Sequence, residues 1–262
     1  MRLVTWNVNS VRLRLDHLAR LVQRWEPDVI CMQEIKVQDE LFPTAELLPG
    51  QFPHRRWRGM KSYNGVAILS RLPFEEVPGP DWCGKGDSRH LAVRLPGGVE
   101  LHNFYVPAGG DIPDPKENPK FAHKLDFVDE MRAWFAAERT PKRKMILVGD
   151  LNIAPLETDV WSHTQLLDVV SHTPIEVEKL GALQEGLGWT DAVRHFIPPQ
   201  DKLYSWWSYR ARDWDLSDRG RRLDHVWVTR PLKGALKGAA VLREARGWTQ
   251  PSDHAPVIVD VG

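Results

Sequence analysis

Polar side chains border several short apolar runs of this 262-residue sequence. One such residue is usually a turn residue, but the same few residue types recur at five runs, and this recurrence indicates a common site. Together they offer four carboxylates, two carboxamides and one imidazole. The residues concerned are Asn7, Glu34, Asp150, Asn152, Asp224, Asp253 and His254.

This donor set indicates a particular metal chemistry. Oxygen-rich sets suit hard cations such as Mg²⁺ or Mn²⁺, which bind through one or two carboxylates together with substrate phosphate. A zinc site is disfavoured because only one histidine and no thiol take part. The sequence contains neither a G-x-x-x-x-G-K-S/T loop nor a G-x-S-x-G elbow, so P-loop nucleotide hydrolysis and serine-hydrolase chemistry have no support.

Strands must carry most of these residues, and helical patterns are fewer. Residues 11–25 repeat apolar side chains at steps of four and three, which predicts a helix capped by Asn9 or Ser10 and ended by Pro27. A second helix is predicted over residues 121–135. Because strands outnumber helices and alternate with them only partly, we expect a mixed α/β domain whose strand ends converge on one rim. The predicted strands are 3–6, 29–32, 66–69, 91–93, 101–105, 145–148, 226–228, 239–242 and 257–261.

Composition sets broad limits on the kind of protein. The chain has 35 basic and 35 acidic residues, with 42% apolar residues, as in ordinary globular proteins. No repeat or linker divides it, so a single domain over residues 1–262 is expected. Two cysteines, Cys31 and Cys83, cannot form a disulfide framework. With no signal-peptide pattern and no run of 18 apolar residues, we expect a cytoplasmic protein with no membrane partner.

Basic residues cluster in three segments despite the zero net charge. Residues 139–144 are predicted to be a solvated connection between a helix and a strand. Residues 54–61 and 209–222 mix Arg with Trp and Tyr, a combination that can hold phosphates and stack on bases or sugars. A basic run by itself is more often a solvated surface, so both interpretations stay open for these two segments.

Seven short motifs, in sequence order, resemble those of the exonuclease III family of abasic-site (AP) endonucleases, within the endonuclease/exonuclease/phosphatase superfamily. The resemblance implies a four-layered α/β sandwich in which helices flank two mixed β-sheets, as in DNase I. It covers nearly the whole chain. The motifs are WNVN at 6–9, QEIK at 33–36, YNGVA at 63–67, YVPAGG at 105–110, GDLNI at 149–153, RLD at 222–224 and SDHAP at 252–256.

The resemblance also implies a metal site. Glu34 would be the main Mg²⁺ ligand, with Mn²⁺ as a substitute ion and Asn7 beside it. Asp253 would lie next to the metal or one contact away.

The remaining motif residues would carry the hydrolysis. Asp150 would orient or deprotonate the attacking water, and Asn152 would help to hold that water and the phosphate. His254, oriented by Asp224, would bond the scissile phosphate, and Tyr105 would lie near the phosphate or the leaving oxygen. An acid paired with the imidazole should raise the pKa of His254 and favour its cation.

The activity implied is that of a DNA-repair nuclease acting on double-stranded DNA. It would cut 5′ to abasic sites, remove 3′-blocking groups and degrade duplexes from 3′ to 5′, as a monomer with no obligate protein partner. A relative hydrolysing a small or lipid-linked phosphoester would share the rim, but residues 205–210 and 219–224 resemble DNA-facing segments. A binding module without activity would have lost a rim residue, and none is lost.

A pocket for the base-free sugar is implied as well. Trp206 and Leu223 match two of its walls, and Arg210 is expected to enter the duplex near the lesion. Arg221 occupies a position where the family usually has a bulky apolar residue. We expect Arg221 at the rim on a phosphate, or alternatively in solvent, and a pocket lacking one apolar wall should favour 3′-end processing.

Overall fold

Two six-stranded β-sheets lie face to face in the computed structural model, which describes residues 1–262. The strands β1 to β14, in chain order, are Arg2–Asn7, Val29–Gln33, His54–Arg58, Val66–Ser70, Glu75–Val77, His90–Leu95, Val99–Tyr105, Met145–Asp150, Thr190–Asp191, Trp206–Trp207, Gly220–Arg221, Asp224–Val228, Leu236–Val241 and Val257–Val261. The first sheet has the spatial order β13-β14-β1-β2-β4-β3, and the second has the order β5-β6-β7-β8-β12-β9. Strands β10 and β11 form a separate pair.

Both sheets are mixed, as the resemblance implies. In the first sheet β1 runs parallel to β2 and antiparallel to β14. In the second sheet β7 runs parallel to β8, and β12 runs antiparallel to it. The antiparallel strands β6 and β7 are joined by the tight turn Pro96–Gly98.

Six helices and six short 3₁₀ turns complete the chain. The helices α1 to α6 are Leu15–Trp25, Pro119–Glu138, His163–Leu166, Pro174–Gly186, Trp214–Ser217 and Arg230–Lys233. The 3₁₀ turns are Val11–Leu13, Asp39–Leu41, Trp82–Gly84, Pro96–Gly98, Glu157–Asp159 and Arg243–Gly247. None of the helices is long and apolar enough to span a bilayer.

Three apolar layers show how the sheets and helices stack. Alternate residues of a strand face opposite sides, so Leu3 packs between the sheets while Val4 packs against α1. On the other side, Val148 faces the gap between the sheets and Leu147 faces α2 and α4. Helix, sheet, sheet and helices thus form the four-layered sandwich, confirming the predicted fold class.

The first helix begins later than its apolar pattern predicts. Residues 11–13 form a 3₁₀ turn, and Arg14 occupies the N-cap position of α1. Neither Asn9 nor Ser10 caps the helix, and both have positive φ angles, 44° and 87°. The physical reason is that the side-chain amide of Asn9 bonds to Asp253 and Lys36 instead of the helix backbone. The C-terminal end is as predicted, because Glu26 adopts a left-handed conformation directly before Pro27.

The basic segment 54–61 includes a strand, β3, that was not predicted from the sequence. Strand β3 is an edge strand that pairs only with β4. Its Arg56 and Arg58 form ion pairs with Glu76, at 2.7 and 2.8 Å. An edge strand with charged residues does not show the alternation of a half-buried strand, which explains why it was missed. Residues 139–144 connect α2 to β8, as predicted.

Candidate active site

Strand direction brings the predicted polar residues to one edge of the gap between the sheets. Asn7 ends β1 four residues after Leu3, and Asp150 ends β8 two residues after Val148, so both continue the inward-facing alternation. Asp224 starts the antiparallel strand β12 directly opposite Asp150. The end of one strand and the start of its antiparallel neighbour lie at the same edge, which accounts for the convergence.

Glu34 lies at the centre of this rim, just after β2. Its Oε1 accepts hydrogen bonds from Asn7 Nδ2 at 2.8 Å and from the hydroxyl of Tyr105 at 2.9 Å. Its Oε2 lies 2.7 Å from Nζ of Lys36. Burial alone would raise the pKa of Glu34, but Lys36 and the hydrogen bond from Asn7 lower it below its ordinary value. Glu34 is therefore an anion at neutral pH.

Asp150 is fully buried and is the most perturbed acid of the rim. Burial, with the nearby Asp224 carboxylate, raises its pKa to about 7, although His254 opposes this. Its Oδ2 accepts from Asn7 Nδ2 at 2.9 Å, and its Oδ1 accepts from the backbone N–H of Asn152 at 3.0 Å. Asn152 has a left-handed φ of 54° and also donates to the carbonyl of Val106 at 2.9 Å. Both residues are thus held firmly at the end of β8.

The glycine before Asp150 is required by close backbone packing. Gly149 has a φ of 139°, and a Cβ at this position would come within 1.8 Å of the carbonyl oxygen of Phe104 in the neighbouring strand β7. Only glycine lets β8 approach β7 this closely while Asp150 faces the rim.

His254 and Asp224 form a buried pair beside Asp150. Nδ1 of His254 lies 2.8 Å from Oδ2 of Asp224, and this oxygen also accepts from Ser205 Oγ at 2.6 Å. Nε2 of His254 faces Asp150, 3.6 Å from its Oδ2. Burial alone would lower the pKa of His254, but the Asp224 and Asp150 carboxylates raise it to about 10. The imidazole is therefore a cation at neutral pH, in the direction that the sequence predicts.

Asp253 lies outside the group of Glu34, Asp150 and His254, and its place next to a metal or one contact away stays a prediction. Its Oδ1 accepts from Asn9 Nδ2 at 3.0 Å, and its Oδ2 accepts from the indole N–H of Trp206 at 2.9 Å. The half-buried indole needs an acceptor, and Asp253 supplies it. The geometry makes Asp253 a support for Trp206 rather than part of the carboxylate group around Glu34.

A cleft of about 630 Å³ opens beside the rim. It joins Glu34, Asn152 and His254 to an aromatic and basic wall contributed by the segment from β10 to β11. Leu223 is buried in this wall, whereas Arg210 is exposed at its edge. The cleft residues used in the following argument are Trp206, Arg210, Arg221, Leu223, Val170 and Ser171.

Arg221 lies in the cleft wall, where its side chain is half-buried. Its NH1 donates to the carbonyl of Val170 at 2.9 Å and to Oγ of Ser171 at 2.7 Å. Its guanidinium lies 5.2 Å from the ring centre of Trp206. The acceptors on the facing loop hold the arginine inward, which disfavours the alternative in solvent, whereas its contact with a DNA phosphate stays a prediction. The planar guanidinium of Arg221 therefore lies where the family usually has a bulky apolar side chain.

The donor set at the rim fits a divalent metal ion. Glu34, Asp150 and His254 each present a ligand atom, and these atoms lie within 4.8 Å of one another. Carboxylate oxygens dominate the set, and the amide of Asn7 bridges the two carboxylates. Because His254 is bound to Asp224 and is cationic, and the pKa of Asp150 is raised, the anionic Glu34 is the best ligand of the three for a hard cation.

Three residues near the rim were not predicted from the sequence. Lys36 contacts Glu34, Ser205 supports Asp224, and the guanidinium of Arg89 lies 5.0 Å from the ring centre of Tyr105. Lys36 belongs to the QEIK motif, so its position could have been noted. Ser205 begins the segment 205–210, but only its tertiary contact reveals its support of Asp224, and Arg89 is likewise placed beside Tyr105 only by the fold.

The fold and this rim define a metal-dependent phosphoesterase class. The chain belongs to the endonuclease/exonuclease/phosphatase family, whose sequence pattern matches residues 4–254. Within that family it is a DNA-repair nuclease of the exonuclease III group.

Three relatives illustrate this placement. The exodeoxyribonuclease of Bacillus subtilis is 30% identical over 271 residues, covering 98% of each chain. The structure of the 3′ phosphatase NExo from Neisseria, bound to a product DNA hairpin, superposes with a TM-score of 0.91 at 32% identity, covering 100% of this chain and 99% of that one. An AP endonuclease from Archaeoglobus fulgidus superposes with a TM-score of 0.92 at 28% identity, with the same coverage.

Proposed function

We propose that this nuclease hydrolyses phosphodiester bonds 5′ to abasic sites and removes 3′-blocking groups from double-stranded DNA, with Mg²⁺ as its metal. The observation that carries the proposal is the junction of a charged rim and an aromatic cleft. Asp150 and His254 lie 3.6 Å apart at one end of the cleft that Trp206 lines. A DNA phosphate at the rim would leave the adjoining sugar in the cleft.

Asp150 is suited to be the general base. It is buried, and its pKa of about 7 lies near neutral pH, where a base combines a useful ionised fraction with useful proton affinity. It would take a proton from water as the water oxygen bonds to phosphorus and the bond to the 3′ oxygen breaks. Asn152, held by Asp150 and Val106, would keep that water and the phosphate in line.

His254 and Tyr105 are suited to contact the phosphate. His254 is cationic and would donate its Nε2–H to a phosphate oxygen. Burial and the nearby carboxylates keep the pKa of Tyr105 well above its ordinary value, so its hydroxyl stays protonated and can donate to the leaving oxygen. A Mg²⁺ ion held by Glu34, with Asn7 beside it, would supply positive charge against the phosphate oxygens.

The His254 and Asp224 pair is expected to act as one unit. We expect His254→Asn and Asp224→Asn each to lower kcat, and the double variant to lose little more than the worse single variant, because Asp224 acts only through the imidazole. A double-mutant cycle on kcat measures this coupling. Asp16→Asn, at an exposed acid of α1 outside the pair, serves as the control. Strictly additive losses would assign Asp224 a separate role.

Trp206 is expected to separate the two activities. We expect Trp206→Ala to reduce abasic-site cleavage more than 3′-phosphate removal, because only the abasic substrate places a flipped sugar against the indole. Both rates are measured with one preparation, and an undamaged blunt duplex gives the exonuclease rate. Trp57→Ala is a matched control, since Trp57 is also half-buried but stacks on Phe42 and does not line the cleft. Equal losses on both substrates would make Trp206 a framework residue.

The inward position of Arg221 supports a shift toward 3′-end processing. Its guanidinium occupies part of the volume that a sugar would fill, and its contacts with Val170 and Ser171 hold it there. Arg210 is exposed at the edge of the cleft and remains our candidate for contact with the duplex.

A further inference from the structure

A buried ion pair lies behind the cleft, away from the reacting groups. Nζ of Lys124 on α2 contacts Oε1 of Glu176 on α4, and both side chains are completely inaccessible to solvent. The two charges neutralise each other in a region where an unpaired charge would be very costly. Neither residue belongs to the seven motifs, and neither faces the cleft.

Lys124 is bonded to the backbone of the catalytic rim. Its Nζ donates to the carbonyl of Asn152 at 2.7 Å and to the carbonyl of Ala108 at 3.3 Å. Asn152 has the left-handed backbone noted above, which for a non-glycine residue is kept only by its surroundings. Lys124 therefore helps to hold both the loop after Asp150 and the loop after Tyr105.

Glu176 is bonded to the opposite wall of the cleft. Its carboxylate accepts from the backbone N–H of Ser171 at 2.9 Å and of Thr173 at 3.1 Å, and from Oγ1 of Thr173 at 2.7 Å. The hydroxyl of the same Ser171 accepts from Arg221. Glu176 thus sets the backbone against which the guanidinium in the cleft wall is held.

The two walls also touch directly. The N–H of Ala154 donates to the carbonyl of Ser171 at 2.8 Å, so the loop after Asp150 and the pocket loop share a hydrogen bond. The ion pair lies behind this bond and fixes one loop from each side. A gain in folding stability does not by itself explain a buried ion pair, because replacing both residues with neutral side chains of similar volume often leaves a protein equally stable.

We propose that Lys124 and Glu176 are positioning residues, which together set the distance between Asn152 at the reacting end and the Val170–Thr173 wall of the sugar pocket. The proposal rests on the proposed function for its kinetic consequences but not for its structural ones. Because one pair holds both loops, disturbing it should change the placement of water and phosphate together with the shape of the pocket.

The test compares Lys124→Met with the double variant Lys124→Met/Glu176→Gln. The single variant leaves Glu176 buried and unpaired, so we expect its Tm to fall by about 10 °C. In the double variant no charge is left unpaired, and the Gln oxygen still accepts from Ser171 and Thr173. We expect most of the Tm to return while kcat on both substrates stays about 10- to 100-fold below wild type, since the bond to Asn152 is still missing.

A matched control uses an ion pair that joins the same two helices. Lys179 on α4 contacts Asp129 on α2, but this pair is partly exposed and reaches neither loop. We expect Lys179→Met to leave kcat within about twofold of wild type, as for other exposed pairs. If the double variant regained kcat together with Tm, Lys124 would be structural only.

Hydrogen exchange separates this proposal from the proposed function. In the double variant we expect amide exchange at residues 151–154 to rise by roughly tenfold, because the bond from Lys124 to the Asn152 carbonyl is lost. Exchange at residues 169–173 should rise with it through the shared bond from Ala154 to Ser171, with no such change in Lys179→Met. This readout requires no substrate. Unchanged exchange in both segments would overturn the positioning role, whereas a wild-type protein inactive on both substrates would overturn only the proposed function.

Discussion

Replacing Asp150 with asparagine is expected to lower kcat for abasic-site cleavage by roughly 10²–10⁴-fold while leaving the Kd for DNA nearly unchanged. The substitution keeps the size of the side chain and most of its hydrogen-bonding positions. It removes the rim carboxylate with the higher proton affinity, because the pKa of Asp150 is raised to about 7 whereas that of Glu34 is lowered. Single-turnover kinetics measure the chemical step, and binding to an abasic duplex measures Kd.

The control for this substitution is another aspartate of the same cleft. Asp111 lines the cleft but is exposed. Asp111→Asn makes the same chemical change without touching the rim, so kcat should stay within about twofold of wild type. If Asp150→Asn instead weakened DNA binding in proportion to its loss of kcat, the carboxylate would serve substrate binding rather than proton transfer.

Removal of divalent metal is the second change from which we expect a large effect. After treatment with EDTA, kcat should fall by roughly 10³-fold or more, because several kcal/mol of charge stabilisation at the phosphate would be lost. Added Mg²⁺ should restore it, and Mn²⁺ should substitute. A titration of activity against metal concentration, at constant ionic strength, measures both.

A substitution at Glu34 tests whether the metal binds at the rim. Glu34→Ala removes the carboxylate that Asn7, Tyr105 and Lys36 surround, so the metal concentration needed for half-maximal activity should rise. Glu117→Ala, an exposed acid in the loop before α2, should leave the titration unchanged. Full activity in EDTA would contradict the metal mechanism. An unchanged titration for Glu34→Ala would show that the metal binds at a site other than Glu34.

The sequence contains most of the information needed for the rim. Asn7, Asp150 and Asp224 interrupt short apolar strands, and alternation with a period of two puts each on the inner face of its sheet. Such signals are local, so they can be recognised in one chain. The resemblance supplied the layer order, and the structure confirmed it.

Other positions depend on contacts that no local pattern contains. Asp253 stands beside His254 in the chain, yet it supports Trp206, because it lies against an indole 47 residues away. Arg221 is turned inward by acceptors on the loop before α4, about 50 residues earlier in the chain. Neither partner can be identified from the residues that adjoin these two in the sequence.

Composition and periodicity indicated a mixed α/β domain with an oxygen-rich site at strand ends, because burial and backbone geometry act over a few residues. The two sheets with flanking helices were implied by the resemblance. The tertiary structure alone decided which charges meet. Lys124 has the spacing of an ordinary helix residue, and only the packing of α2 on α4 buries it opposite Glu176. Electrostatic partners in a core are chosen by distance in space, and this chain brings them together across 52 positions of sequence.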